Sequence, residues 1–186
     1  MPSPPLLMQL MSCLNGRPPA NVDWTGVIAT ANRTLTTGTL AQRQRNGRSM
    51  ALPEDVGSFL AAVDARAAER DRRMREQLAE AVTCLNGANI TPMLLKGSAI
   101  LTTPDVDARG RLLSDLDLMV PASALACAGE ALATIGYIRQ TESSDPSVAH
   151  IFARSRDAGT IDLHYRLKTP RPRFDFARLD ALTTDL

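Results

Sequence analysis

Ser114-Asp115-Leu116-Asp117-Leu118-Met119-Val120 is the stretch on which the reading of this chain turns. It is short, apolar at alternate positions, and carries two carboxylates. Successive side chains of a strand point to opposite faces. Asp115 and Asp117 therefore share one face, and Leu116, Leu118 and Val120 share the other. Two carboxylates side by side on a rigid strand repel each other unless a cation sits between them. Hard divalent ions such as Mg²⁺ take oxygen ligands of this kind.

Two stretches bracket this one. Upstream, Leu94-Leu95-Lys96-Gly97-Ser98 reads as a strand that ends in glycine and enters a helix. Such a turn exposes backbone N–H groups that favour a phosphate, with Lys96 as an added point charge. Downstream, Thr160 to Leu167 reads as a second apolar strand with Asp162 between Ile161 and Leu163. If that strand neighbours the first, three carboxylates converge, and each raises the others' pKa unless a cation joins them. His164 alternates with Asp162 and falls on the same face, within reach of substrate or of a water near the site. The acidic strand alone is also compatible with an exposed polar face paired with Arg109 or Arg111.

Composition sets the outer limits. The chain has 186 residues, 44% hydrophobic and 22% charged, which suits one soluble globular protein with a real core. A net charge of +1 gives no bulk argument for a nucleic-acid partner. Basic residues are almost all arginine; Lys96 and Lys168 are the lysines. Cys13, Cys84 and Cys127 are few, odd in number and without metal-ligand spacing, as expected of reduced thiols on helices. No run approaches the roughly 18 apolar residues of a membrane span, and Met1 to Leu14 lacks a signal-peptide pattern. The expectation is a cytoplasmic protein.

The first fifty residues suggest three short helices, from Pro5 to Leu14, from Trp24 to Leu35 behind an Asp23 N-cap, and from about Thr39 to Arg45. Asn46-Gly47-Arg48-Ser49 reads as loop. A long helix follows Pro53. Phe59, Leu60, Val63, Ala67, Met74, Leu78, Val82 and Leu85 form one face, and Asn86-Gly87 is the stop. The arginine-rich run from Arg66 to Glu76 reads as a solvated face with Glu69–Arg73 and Asp71–Arg75 pairs, in preference to a nucleic-acid stripe. After Gly87 strands alternate with helices: strands at Ile90–Leu95, Leu112–Val120, Tyr137–Gln140, Ala149–Arg154 and Ile161–Leu167, and a helix at Ser123–Ile135. Glu142 to Pro146 and Asp157-Ala158-Gly159 read as turns, and the tail from Thr169 as loop with one helical turn. His150, Tyr165 and Trp24 read as structural. The expected fold is α+β: a helical region at residues 1–87 packed on a mixed-sheet core with flanking helices at residues 88–186.

The order Leu-Lys-Gly-Ser, Arg-x-x-Ser-Asp-Leu-Asp-Leu, Ile-Gly-Tyr and Ile-Asp-Leu-His-Tyr-Arg-Leu resembles the uncharacterised bacterial nucleotidyltransferases of the polymerase-beta-like superfamily. The likeness covers about Leu94 to Leu167, and the helical N-terminal region also looks like the leader of these proteins. It implies a nucleotidyltransferase-type sheet, with Gly97 and Ser98 as the phosphate-holding turn and Lys96, Arg111 and Ser114 beside them at the nucleotide. It implies Asp115, Asp117 and Asp162 as the catalytic, metal-binding triad for Mg²⁺ or Mn²⁺. The activity implied is transfer of a nucleoside monophosphate from an NTP, ATP among the candidates, to a hydroxyl or phosphate of an acceptor. That acceptor could be a small molecule, peptide, protein or RNA, as in a tailoring enzyme or a toxin; nucleic acid enters only in that role. The Ser98–Asp115 gap is longer than in compact superfamily members. The alternative from another class is a catalytically inactive nucleotide-binding or regulatory module with the same fold.

Overall fold

Turn-forming residues cut the first part of the chain into short helices. The computed structural model describes residues 4–46, 52–104, 106–140, 148–167 and 176–180. Helix α1 spans Leu6–Leu14, α2 Trp24–Arg33 and α3 Thr37–Arg45. Asp23 caps α2 as expected, its Oδ1 accepting from the Gly26 N–H at 3.0 Å. Helix α3 starts two residues earlier than the sequence suggested, after a left-handed Leu35 at φ 56°. Helix α4 runs unbroken over Glu54–Gly87, with Pro53 just ahead of it and Asn89 in the left-handed region (φ 58°) just beyond. Gly47 to Ser49, the 142–146 turn and the start of the tail lie outside the described residues.

Two compact units emerge. The first comprises Met1–Asp71 with Asp107–Leu112, and the second Arg72–Val106 with Leu113–Leu186. The first unit is helical. Leu10, Cys13, Val27, Ala31, Leu40, Val56 and Leu60 form its buried core, with Trp24 partly buried against it. Fully burying each leucine or valine of this core stabilises by about 1.5–3 kcal/mol. A 3₁₀ turn at Ala108–Gly110 belongs to this unit, and its Gly110 carbonyl accepts from Thr39 Oγ1 at 3.0 Å. Arg45 bridges Asp64 and Asp107. The Arg109 guanidinium donates twice to Asp107, at 2.9 and 3.2 Å, so its charge is committed there.

The second unit holds a five-stranded mixed sheet in the order β1-β2-β5-β4-β3. The strands are β1 Met93–Leu94, β2 Asp115–Met119, β3 Ile138–Arg139, β4 Val148–Ala153 and β5 Thr160–His164. Only β2 and β5 run parallel; the other neighbours are antiparallel. The expected strand at Ile90–Leu95 shrinks to two residues because only Met93 and Leu94 find partners on β2 before the chain turns into helix α5, Lys96–Thr102, at a left-handed Lys96. Helix α6 spans Leu125–Thr134, and the short α7 spans Phe176–Asp180.

Leu116, Leu118, Ile161 and Leu163 have no exposed surface, so the apolar face of β2 and β5 anchors the unit. Gly159 lets β5 enter beside β2: a Cβ there would lie 2.5 Å from the Ser114 carbonyl oxygen. Gln77 on α4 closes over this point, donating to the Gly159 carbonyl at 2.8 Å and accepting from its N–H at 3.3 Å. The charged run of α4 is largely a solvated face, as expected. Arg72 and Glu76 pair at 2.5 Å, while Arg73 donates to the Arg156 carbonyl at 2.6 Å. His150 stands edge-on to Phe152, its ring centroid 6.2 Å away. Tyr165 is half-buried, with the Arg166 guanidinium 5.0 Å from its ring centroid. The three cysteines are free thiols on α1, α4 and α6. Among the described residues no helix is long and apolar enough to cross a membrane.

Candidate active site

The site follows from strand register. Parallel pairing puts Asp117 directly opposite Asp162, Asp115 opposite Thr160, and Met119 opposite His164. Directly opposed residues on neighbouring strands share a face. Asp115, Asp117 and Asp162 therefore converge. Each offers a carboxylate oxygen, and these lie within 4.8 Å of one another. Asp117 is the most enclosed, at 3% exposure; Asp115 and Asp162 are half-buried. Carboxylate oxygens at this separation match what a hard divalent ion requires of its ligands. The residues present therefore fit such an ion.

Two donors hold Asp117. His164 Nε2 lies 2.8 Å from its Oδ1, and Lys96 Nζ lies 2.6 Å from the same oxygen. A carboxylate only accepts, so the His164 proton sits on Nε2. The His164 ring is buried and its Nδ1 has no hydrogen-bond partner among the described residues. Burial pushes the Asp117 carboxyl up, but the hydrogen bonds from His164 and Lys96 outweigh it and hold the group below the usual carboxylate range. Asp162 goes the other way. Burial raises it first, and the charges of Asp115 and Asp117 raise it further, against one hydrogen bond from Thr160 Oγ1 at 3.3 Å. Ser114 Oγ donates to Asp115 Oδ1 at 3.0 Å.

Lys96 is delivered by backbone geometry. The Leu95 N–H donates to the Asp117 carbonyl at 3.0 Å, which pins the end of β1 beside the acidic strand. The next residue, Lys96, has φ 46°. A non-glycine residue in that region costs about 1–2 kcal/mol, and such strain gathers at functional sites. Lys96 thus reaches a carboxylate of the triad. Gly97 is buried, and a Cβ there would lie 2.6 Å from Leu113 Cδ2. Its role in this structure is close packing against Leu113. Ser98 is fully buried, and its Oγ has no hydrogen-bond partner among the described residues. Arg111 is exposed and belongs to the first unit.

Thr160 was not singled out by sequence reasoning. The signal was available, since it lies two residues before Asp162 and shares its face. The Lys96–Asp117 contact carried no such signal, being set by how β1 meets β2.

A mixed sheet whose two parallel strands bring three carboxylates to one point presents a ligand set that could hold a divalent cation. The family described as uncharacterised nucleotidyltransferase matches residues 20–184, nearly the whole chain, and the chain belongs to that family. No curated protein and no solved structure matches it.

Proposed function

We propose that this chain is a divalent-metal-dependent nucleotidyltransferase that moves a nucleoside monophosphate from an NTP to a hydroxyl or phosphate of an acceptor. The observation that carries this reading is the convergence of Asp115, Asp117 and Asp162, in a chain whose family is one of nucleotidyltransferases. Mg²⁺ or Mn²⁺, when bound, neutralises the triphosphate and lowers the pKa of the attacking hydroxyl. Asp115 and Asp117 would hold that ion. Asp162, with its raised pKa, completes a second ion's ligands or accepts the acceptor's proton.

The bond made joins the acceptor oxygen to the α-phosphorus. The bond broken joins that phosphorus to the bridging oxygen of the departing pyrophosphate, and the acceptor's proton goes to Asp162 or to solvent. The remaining catalysis is positioning. His164 keeps Asp117 oriented, and Lys96, at the start of α5, stands beside the phosphates. The acceptor class follows from neither fold nor family: small molecule, peptide, protein and RNA are each compatible with this chemistry.

The test needs no knowledge of the acceptor. Thermal stability is measured with each of the four NTPs, with and without Mg²⁺ or Mn²⁺, for the wild type and Asp117→Asn. A ligand at about 100 times its dissociation constant stabilises by roughly 2.7 kcal/mol. The expected result is a metal-dependent rise of several degrees with at least one NTP, absent in Asp117→Asn. No rise with any NTP and metal overturns the proposal in favour of a module without nucleotide chemistry.

A further inference from the structure

Resting on the metal-site reading just given, we infer that Lys96 is an internal stand-in for the divalent ion: its ammonium occupies Asp117 while no metal is bound, leaves when one binds, and then serves the incoming triphosphate.

Three observations and one electrostatic argument support the exchange. Lys96 Nζ sits 2.6 Å from Oδ1 of Asp117, the most enclosed carboxylate of the triad. A divalent ion seated among the three carboxylates would contact the same group, and two cations do not share that space without strong repulsion. The Lys96 side chain is 56% exposed, so its stem has solvent to swing into without displacing core. Asp117 keeps a donor when Lys96 departs, because His164 Nε2 stays at 2.8 Å on a buried ring. The carboxylate is therefore never stranded, and the exchange swaps one cation for another.

The backbone explains why a lysine must do this. Lys96 occupies a left-handed conformation at φ 46°, where glycine would sit without strain. The side chain that replaces glycine there is cationic, on a four-carbon stem that allows a compact ammonium two positions. The arrangement makes metal and triphosphate binding cooperative. The ion releases the ammonium, and the released ammonium has anionic oxygens to meet only when a triphosphate arrives.

The experiment uses the full chain and exploits its two lysines, Lys96 and Lys168. With ¹³Cε- and ¹⁵Nζ-labelled lysine, two sets of signals are followed by NMR during a Mg²⁺ titration. Calorimetry on wild type, Lys96→Met and Asp117→Asn measures binding of Mg²⁺ alone, and of inorganic tripolyphosphate with Mg²⁺. The Lys96 signal is expected to move to a solvent-like position over the range in which calorimetry shows Mg²⁺ binding, with Lys168 unmoved. Lys96→Met is expected to bind Mg²⁺ about tenfold tighter, having lost the competitor, and Mg²⁺–tripolyphosphate more weakly than wild type. A merely structural lysine would not move the two affinities in opposite directions. A Lys96 signal that stays put while Mg²⁺ binds through Asp117 overturns the inference and leaves the metal site standing. Mg²⁺ binding by Lys96→Met but not by wild type overturns the exchange, since the ammonium would then be a permanent block. Failure of every form to bind Mg²⁺ overturns the metal-site reading itself, and the inference with it.

Discussion

Arg154 and Asp117 are both buried charges of the sheet unit, and they are partnered in opposite ways. The Arg154 side chain is 8% exposed and Asp157, beside it, 7%. Arg154 grips Asp157 with Nε and Nη2, both at 3.0 Å, and Glu80 with both terminal nitrogens, at 3.1 and 2.5 Å. It also donates to the Ile135 carbonyl at 2.7 Å and lies over the Tyr137 ring, 4.4 Å from its centroid. Arg156 adds a second guanidinium to Glu80 at 2.9 Å. Two arginines meet two carboxylates, and the fork geometry of the guanidinium uses its donors fully. The hydrogen bond from Arg154 holds Glu80 below the usual carboxylate range. At the triad, by contrast, Lys96 brings one ammonium to three carboxylates, and Asp162 is pushed above its ordinary value. The first cluster is complete and serves the fold. The second is short of positive charge, which is the deficit that the proposed cation would fill.

That contrast can be broken by mutation. The largest effect falls on the incomplete cluster: Asp117→Asn should lower the rate of pyrophosphate release from the NTP by about a thousandfold or more, with the fold retained in circular dichroism. A loss under tenfold would move the metal site elsewhere. Next comes the complete cluster. Arg154→Met strands Asp157 and part of Glu80, and breaking a buried pair of this kind costs about 3–5 kcal/mol. Glu80 is partly solvated, so the lower end, about 3 kcal/mol, is expected in denaturant unfolding. A cost below about 1 kcal/mol would show that the cluster is dispensable to the fold.

The two remaining predictions oppose one another in pH. In the helical unit burial would raise Asp107, but the hydrogen bonds from Arg109, with Arg45 nearby, outweigh it and carry the carboxyl down to about 2. Its stabilisation is present above the unfolded value near 4 and is lost as pH falls toward about 2. Asp107→Asn should therefore cost about 1–2 kcal/mol at pH 7, allowing for solvent screening, and little once pH falls to about 2. Asp162 has the reverse sign. Its folded-state pKa is raised, so ionising it penalises the folded form as pH rises through that value, and the penalty vanishes where both states are protonated. Asp162→Asn should raise Tm by about 2–4 °C at pH 7 in EDTA. The gain should fade below about pH 4 and turn to a loss when Mg²⁺ is added. An Asp162→Asn variant no more stable than wild type in EDTA would remove the charge deficit from which the contrast is drawn.

Much of the site was legible in the sequence because its signals are local. The alternation Asp115-Leu116-Asp117-Leu118 put both carboxylates on one face of a strand. The same two-residue period joined Asp162 to His164, and His164 does reach Asp117. Helix stops at Asn15-Gly16 and after Gly87 were equally readable. The Arg154 cluster was invisible by comparison. Glu80 lies 74 residues from Arg154 in sequence, and nothing in either neighbourhood announces the other. The short edge strands were overestimated, since Ile90–Leu95 has strand-like composition throughout while only Met93 and Leu94 find a partner. Gly97 reads in sequence as backbone that a phosphate can approach closely; in the structure its missing Cβ makes room for Leu113.

By itself the sequence determined which residues face together along each strand and, to within two residues or so, where the helices begin and end. These are consequences of backbone geometry over a few residues, and each segment carries them wherever it is placed. Only the tertiary structure decided that β2 and β5 lie side by side in parallel, that Asp117 falls opposite Asp162, and that Lys96 is turned onto Asp117. Those outcomes depend on which apolar faces bury against each other across long stretches of chain. A slip of one residue in that pairing would send one strand's carboxylates to the other face and dissolve the triad.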